Sequence, residues 1–134
     1  MKRIITILLC TTMAFALTGC GGNIKNFEVL EWESEIYNDK DIESAIEVTA
    51  DYFKEEFSGC TLATITYAGD ENTIAHEDWA IRNNADDVIV LISSFDIDSS
   101  GGDSSLNANS TYNDWMWILV RTNGGKWQHV DHGY

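Results

Sequence analysis

Apolar side chains return at steps of three and four through residues 42–57. Ile42, Ala45, Ile46, Thr49, Tyr52, Phe53 and Phe57 fall on one side, while Glu43, Glu47, Asp51, Lys54 and Glu55 take the other. That period predicts an α-helix with one buried stripe. Asn38 is placed to cap it, Asp39 and Asp41 sit in the first turn where the helix dipole favours acids, and Tyr37 stands where it can staple onto Ile42. Ser58-Gly59 ends the helix, because glycine tolerates the left-handed exit. A period of two takes over in residues 61–67, with Ala63, Ile65 and Tyr67 facing one way and Thr64 and Thr66 the other, which predicts a strand. Beyond the turn at 68–72, residues 73–83 scatter Ile74, Trp79 and Ile81 among polar positions without alternation. A short helix that turns Trp79 inward fits that pattern. The run Val88-Ile89-Val90-Leu91-Ile92 is unbroken, so the strand predicted over 87–98 is covered on both faces at its start. A polar connection at 99–109 leads to strands over 112–121 and 126–131, joined by Thr122-Asn123-Gly124-Gly125, where Asn and Gly supply the positive φ of a tight turn. Upstream, residues 23–36 hold Phe27, Val29, Leu30, Trp32 and Ile36 in an irregular lead-in or short strand. Helices grouped against one antiparallel sheet make an α+β domain.

The remaining apolar stretch lies at residues 4–17, behind Lys2 and Arg3 and interrupted only by Thr6, Thr11 and Thr12. It falls short of the roughly 20 residues needed to cross a hydrocarbon core. Its charged start, apolar middle and small Thr18-Gly19 flank are those of an export signal. The tetrad Leu17-Thr18-Gly19-Cys20 resembles the lipobox of bacterial lipoproteins. That resemblance implies cleavage before Cys20, a diacylglyceryl group on its thiol and acylation of the freed amine; the alternative is an ordinary secretory signal in which Cys20 is incidental. Each buried methylene contributes ~0.8 kcal/mol and a single chain holds only marginally, so two or three chains anchor a protein without any spanning helix. The expected organisation is a signal peptide at 1–19, a lipid-anchored tether and lead-in at 20–35 with Gly21-Gly22-Asn23 flexible, and one domain at 36–134. The expected location is the extracytoplasmic face of a cell membrane.

Loss of the signal sharpens the charge, leaving six basic residues against twenty-two acidic ones, a formal net charge of −16. Such a surface repels phosphate backbones, which makes nucleic acid an unsuitable partner. It favours solubility and stand-off from an anionic envelope, or attraction of cations or a basic peptide. Cys10 leaves with the signal and Cys20 carries lipid, so Cys60 remains alone and no internal disulfide can form. The core must supply the stability. No nucleophile elbow, Gly-rich phosphate cradle, paired-cysteine knuckle or internal repeat is present, and no cofactor is expected.

Three groups of residues carry candidate chemistry. The stretch 96–101 opens like a calcium loop, with Asp96, Asp98 and Ser100 as alternating oxygen ligands, then glycine; Asp103 is a further donor, but the twelfth position is Asn107 where a bidentate Glu is wanted. Local turns satisfied by Ser, Asn and Asp side chains account for the same residues without an ion. His129 and Asp131, two apart on a strand, point the same way and could hold a metal or orient an imidazole, with His132 turned to the other face. The third group is aromatic: Trp79, Tyr112, Trp115, Trp117, Trp127 and Tyr134. Its rings either pack the core or line a pocket. Arg121 pairs with an acidic neighbour or an anionic ligand.

The segments Val88 to Asp96, Ser99-Ser100-Gly101-Gly102-Asp103, Asn109-Ser110-Thr111-Tyr112, Trp117 to Arg121 and the terminal Gly133-Tyr134 resemble a group of small exported proteins and lipoproteins of Firmicutes. The similarity covers residues 36–134. It implies the nuclear-transport-factor-2-like (NTF2-like) or cystatin-like architecture, a long helix wrapped by a curved antiparallel sheet, and it brings no activity with it. The reading that results is a non-catalytic module at the cell envelope. It would bind a protein, peptide or glycan through Trp79, Tyr112, Trp115, Trp117, Arg121, His129 and Asp131. Two alternatives stand beside it: a small enzyme using His129 and Asp131, and a cystatin-like inhibitor or immunity protein.

Overall fold

The computed structural model describes residues 2–3, 21–99 and 106–133. Cys20, most of the signal segment, Ser100, Asp103 and Tyr134 lie outside the described residues. The elements in chain order are β1 (Lys2–Arg3), β2 (Glu28–Val29), β3 (Trp32–Glu33), α1 (Asp39–Glu56), β4 (Cys60–Tyr67), α2 (Asp70–Ala75), α3 (Asp78–Arg82), β5 (Asp87–Ile97), β6 (Thr111–Arg121) and β7 (Gln128–Gly133). The fold is α+β. Five strands form one sheet in the order β2-β4-β5-β6-β7, and β1 pairs with β3 apart from it. None of the helices among the described residues is long and apolar enough to cross a membrane.

The sheet is mixed, where the sequence pattern predicts an antiparallel one. β2 runs parallel to β4, while every later pair is antiparallel. A parallel neighbour needs a long crossover, and α1 is that crossover. The lead-in therefore belongs to the packed fold, with Phe27, Val29 and Trp32 all buried.

α1 forms as its stripe predicts. The Asn38 side chain accepts from the Asp41 amide at 2.8 Å, Asp39 and Asp41 occupy the first turn, and Gly59 takes a φ of 76° just beyond the end. Ile42, Ala45, Ile46, Thr49, Ala50 and Phe53 are buried against the sheet. β5 is covered on both sides, as its unbroken apolar run requires. Ile89 and Leu91 join the core under α1, while Val88 and Val90 join a smaller cluster with Ile118, Val120 and Ala80 of α3. The single helix predicted over 73–83 is instead two short ones, and Ile74 and Ile81 are exposed. Trp79 turns partly inward on the α3 side, its outer face covered by the Arg82 guanidinium at 4.1 Å. In the β6–β7 turn Asn123 and Gly124 have φ of 56° and 66°, as the turn chemistry demands.

Three bulges reset which side chains share the α1 face. Leu62 pairs with Phe95 and Thr64 with Ser94, so Ala63 is an extra residue, and Leu62 and Ile65 both point into the core. On β6, Asn113 and Asp114 stand opposite Ser94 alone, with Asp114 at φ 59°. On β7, His129 and Asp131 pair with adjacent Leu119 and Ile118, which leaves Val130 as the extra residue. Each insertion bends its strand and reverses the alternation beyond it.

Candidate functional site

The β6 and β7 bulges bring together the side chains at the C-terminal end of α1. Tyr112 and Trp115, three apart, would lie on opposite faces of a regular strand. With the bulge between them they meet edge to face, ring centroids 5.4 Å apart, and Tyr112 stacks flat on buried Phe95 at 5.5 Å. The same device on β7 places His129 and His132 on one face, their Nε2 and Nδ1 atoms 3.0 Å apart. Asp131, paired with Ile118, faces the other way and is exposed. The expected His129–Asp131 alignment is thus replaced by a His129–His132 pair, because the bulge falls between them.

His132 sits inside a ring of aromatic side chains. Its imidazole centroid lies 5.4 Å from Phe57, 5.8 Å from Tyr52, 5.8 Å from Trp115 and 5.2 Å from Trp117. His129 stacks on Tyr52 at 4.0 Å. Outside this cluster lies a hollow of about 310 Å³, walled by Tyr52, Phe57, Leu106, Trp115 and His132, with Glu56 and Ser58 at its polar rim. Trp117 lies beneath as fully buried core, its Nε1 donating to the Ser93 hydroxyl at 2.8 Å.

The electrostatics of this hollow are negative or neutral. Burial, then the neighbouring His132, holds the His129 imidazole down to about 4, with Asp131 opposing, and burial lowers His132 as well. Both rings are uncharged at neutral pH. Burial and the Glu56 carboxylate raise the Tyr52 hydroxyl, so it stays protonated. The C-terminal end of α1 adds the negative pole of the helix dipole. One consequence is a pH dependence of stability. Between the ordinary imidazole value of 6.5 and the His129 value of about 4, the unfolded chain binds a proton that the folded chain refuses, so stability falls as pH drops through that window. Urea midpoints from pH 7 to 4 should decline less steeply for His129→Gln than for the parent; parallel declines would contradict the assignment.

The other sequence-predicted residues lie elsewhere. Trp79 is on the opposite face of the sheet. Arg121 is paired with two carboxylates: its Nη1 contacts Asp41 and its Nε contacts Asp87, each at 2.9 Å, and its guanidinium lies 4.3 Å from the Trp127 ring centroid. It forms one wall of a second hollow of about 450 Å³ beneath the β6–β7 turn, beside Lys40, Asp41 and Glu47. Asp96 belongs to β5 rather than to a loop, and accepts from the Thr111 hydroxyl at 2.6 Å. Asp98 carries the backbone links of the β5 exit to Gly59 and Asn109. Among the described residues no group of three His, Cys, Asp or Glu is placed to hold a metal ion. Sequence reasoning missed Glu56, Ser58 and Leu106, and assigned Tyr52 and Phe57 to the core alone. The spacing of Tyr52 and Glu56, one helical turn apart beside the apolar stripe, was the available signal. No protein-family model, curated protein or solved structure matches the chain.

Proposed function

We propose that this chain is a lipid-anchored extracytoplasmic binding module of bacterial type. Its ligand site is the aromatic hollow at the end of α1, and the group it takes is an ammonium cation. The observation that carries the site is the convergence of Tyr52, Phe57 and Trp115 ring surfaces with the Glu56 carboxylate and a helix C-terminus, without any cationic side chain among the described residues of the lining. Aromatic faces and a negative rim attract an ammonium group, and desolvation strengthens that attraction. An uncharged imidazole at His132 leaves the attraction unopposed. The formal net charge of −16 left after cleavage draws cations toward the surface before contact. Anchoring is supported by Leu17-Thr18-Gly19-Cys20 following an apolar run too short to span. Cleavage before Cys20 removes β1, while Trp32 of β3 keeps its Nε1 bond to Asp39 at 3.1 Å. The long helix on a bulged sheet supports the NTF2-like or cystatin-like reading of the architecture, and the separation of His129 from Asp131 favours binding over acid–base catalysis.

Tetramethylammonium chloride is a direct probe, with tert-butanol as its neutral isostere. Tetramethylammonium should shift the Trp115 and His132 resonances saturably, and Trp115→Ala or Glu56→Gln should each weaken it by about tenfold or less, the scale of one cation–π or carboxylate contact. Equal shifts from the neutral isostere, or affinity unchanged in both variants, would contradict the proposal.

A further inference from the structure

The residues directly after Cys20 are not free to act as a tether. The Gly22 amide donates to the Lys54 carbonyl at 2.9 Å, closing off one of the orphan carbonyls at the end of α1. Asn23 continues as an added strand residue, its amide donating to the Cys60 carbonyl at 2.8 Å while its own carbonyl accepts from Leu62 at 2.9 Å. The approach is so close that only glycine fits. A Cβ on Gly21 would overlap the Lys54 carbonyl oxygen, and one on Gly22 would lie 2.5 Å from the Phe53 carbonyl oxygen and 2.7 Å from its ring Cδ1. Gly21-Gly22 is a clasp onto the helix end, where the sequence reads as a flexible spacer.

We infer that the C-terminal end of α1 is a membrane-facing surface, held flat against the lipid because Cys20 is joined to a clasped Gly21 with no slack between them. The inference rests on the lipoprotein reading. The occupant of this surface is the bilayer that receives the acyl chains, since a covalent anchor one residue from Gly21 leaves no reach for the domain to stand off. The hollow bounded by Glu56, Phe57 and Ser58 shares this end of the helix. Its ligand is therefore met at the lipid surface.

Mature, lipid-modified protein in vesicles doped with headgroup-nitroxide phosphatidylcholine tests this. A fluorophore is placed on Glu55→Cys, beside the clasp, or on Lys40→Cys; both sites are exposed, and native Cys60 is buried. The two positions are about 22 Å apart along the α1 axis, so quenching at residue 55 should exceed that at residue 40 by about threefold or more. Ten Gly/Ser residues inserted between Cys20 and Gly21 should erase the difference while the protein stays on the vesicles. Gly22→Val, which forces the clasp open, should do the same. Equal quenching at both sites in the membrane-bound parent, or a difference that survives the insertion, would overturn the inference alone. Protein that fails to stay on the vesicles would overturn the anchor and the inference together.

Discussion

Trp117→Ala should destabilise the domain by about 3–5 kcal/mol, the usual range for emptying an aromatic site in a closed core. The side chain is fully buried, and its ring is in contact range of Tyr52 and Phe53 at centroid separations of 6.1 and 6.4 Å and of Phe57 at 5.3 Å. Its loss also strands Ser93, whose buried hydroxyl would keep only a 3.4 Å contact to the Trp115 carbonyl. Leaving a buried polar group under-satisfied carries its own cost of about 1–3 kcal/mol. Trp117→Phe separates the two effects, because it retains most of the packing and removes only the indole donor; it should fall between parent and alanine variant. Trp79→Ala is the contrast. That ring is partly exposed on the far face of the sheet, so its loss should cost about 1 kcal/mol or less, as for other partly exposed sites. Urea unfolding at pH 7 reads all three. A Trp117→Ala midpoint close to that of Trp79→Ala would contradict the placement of the core.

What the sequence disclosed and what it concealed divide along a physical line. Helix α1 was legible in full, cap included, because its period, its acidic first turn and its glycine stop are all local signals. β5 was legible for the same reason: an unbroken apolar run of that length, rich in β-branched residues, suits a strand covered on both faces. The parallel pairing of β2 was hidden, since a two-residue strand has no period of its own and is defined by the crossover that follows it. The bulges were hidden too. Strict alternation assigns Ala63 to the core and His132 to the opposite face from His129, and a single extra residue in each strand reverses both. Nothing in the composition near Val130 or Asn113 announces such an insertion, so the candidate site was visible as a set of aromatic and imidazole residues but not as a constellation. Gly21-Gly22 was misread for a different reason. Glycine serves flexibility and close approach equally well, and only the neighbouring helix end reveals which is in use.

The second large effect concerns Cys20. On the proposed lipoprotein reading, lipid on this residue would hold the protein to the membrane, each acyl chain contributing roughly 0.8 kcal/mol per buried methylene. Cys20→Ala should abolish that modification entirely, so the added acyl mass disappears and the precursor keeps its first residue. The domain itself should fold as before, because the described fold begins at Gly21 apart from the two-residue β1. The most direct test of the account is the intact mass of the native protein extracted from membranes. A chain starting at Cys20 and heavier by two or three acyl groups is the predicted result; a chain that still carries Met1, with Cys20 as a free thiol, would contradict it.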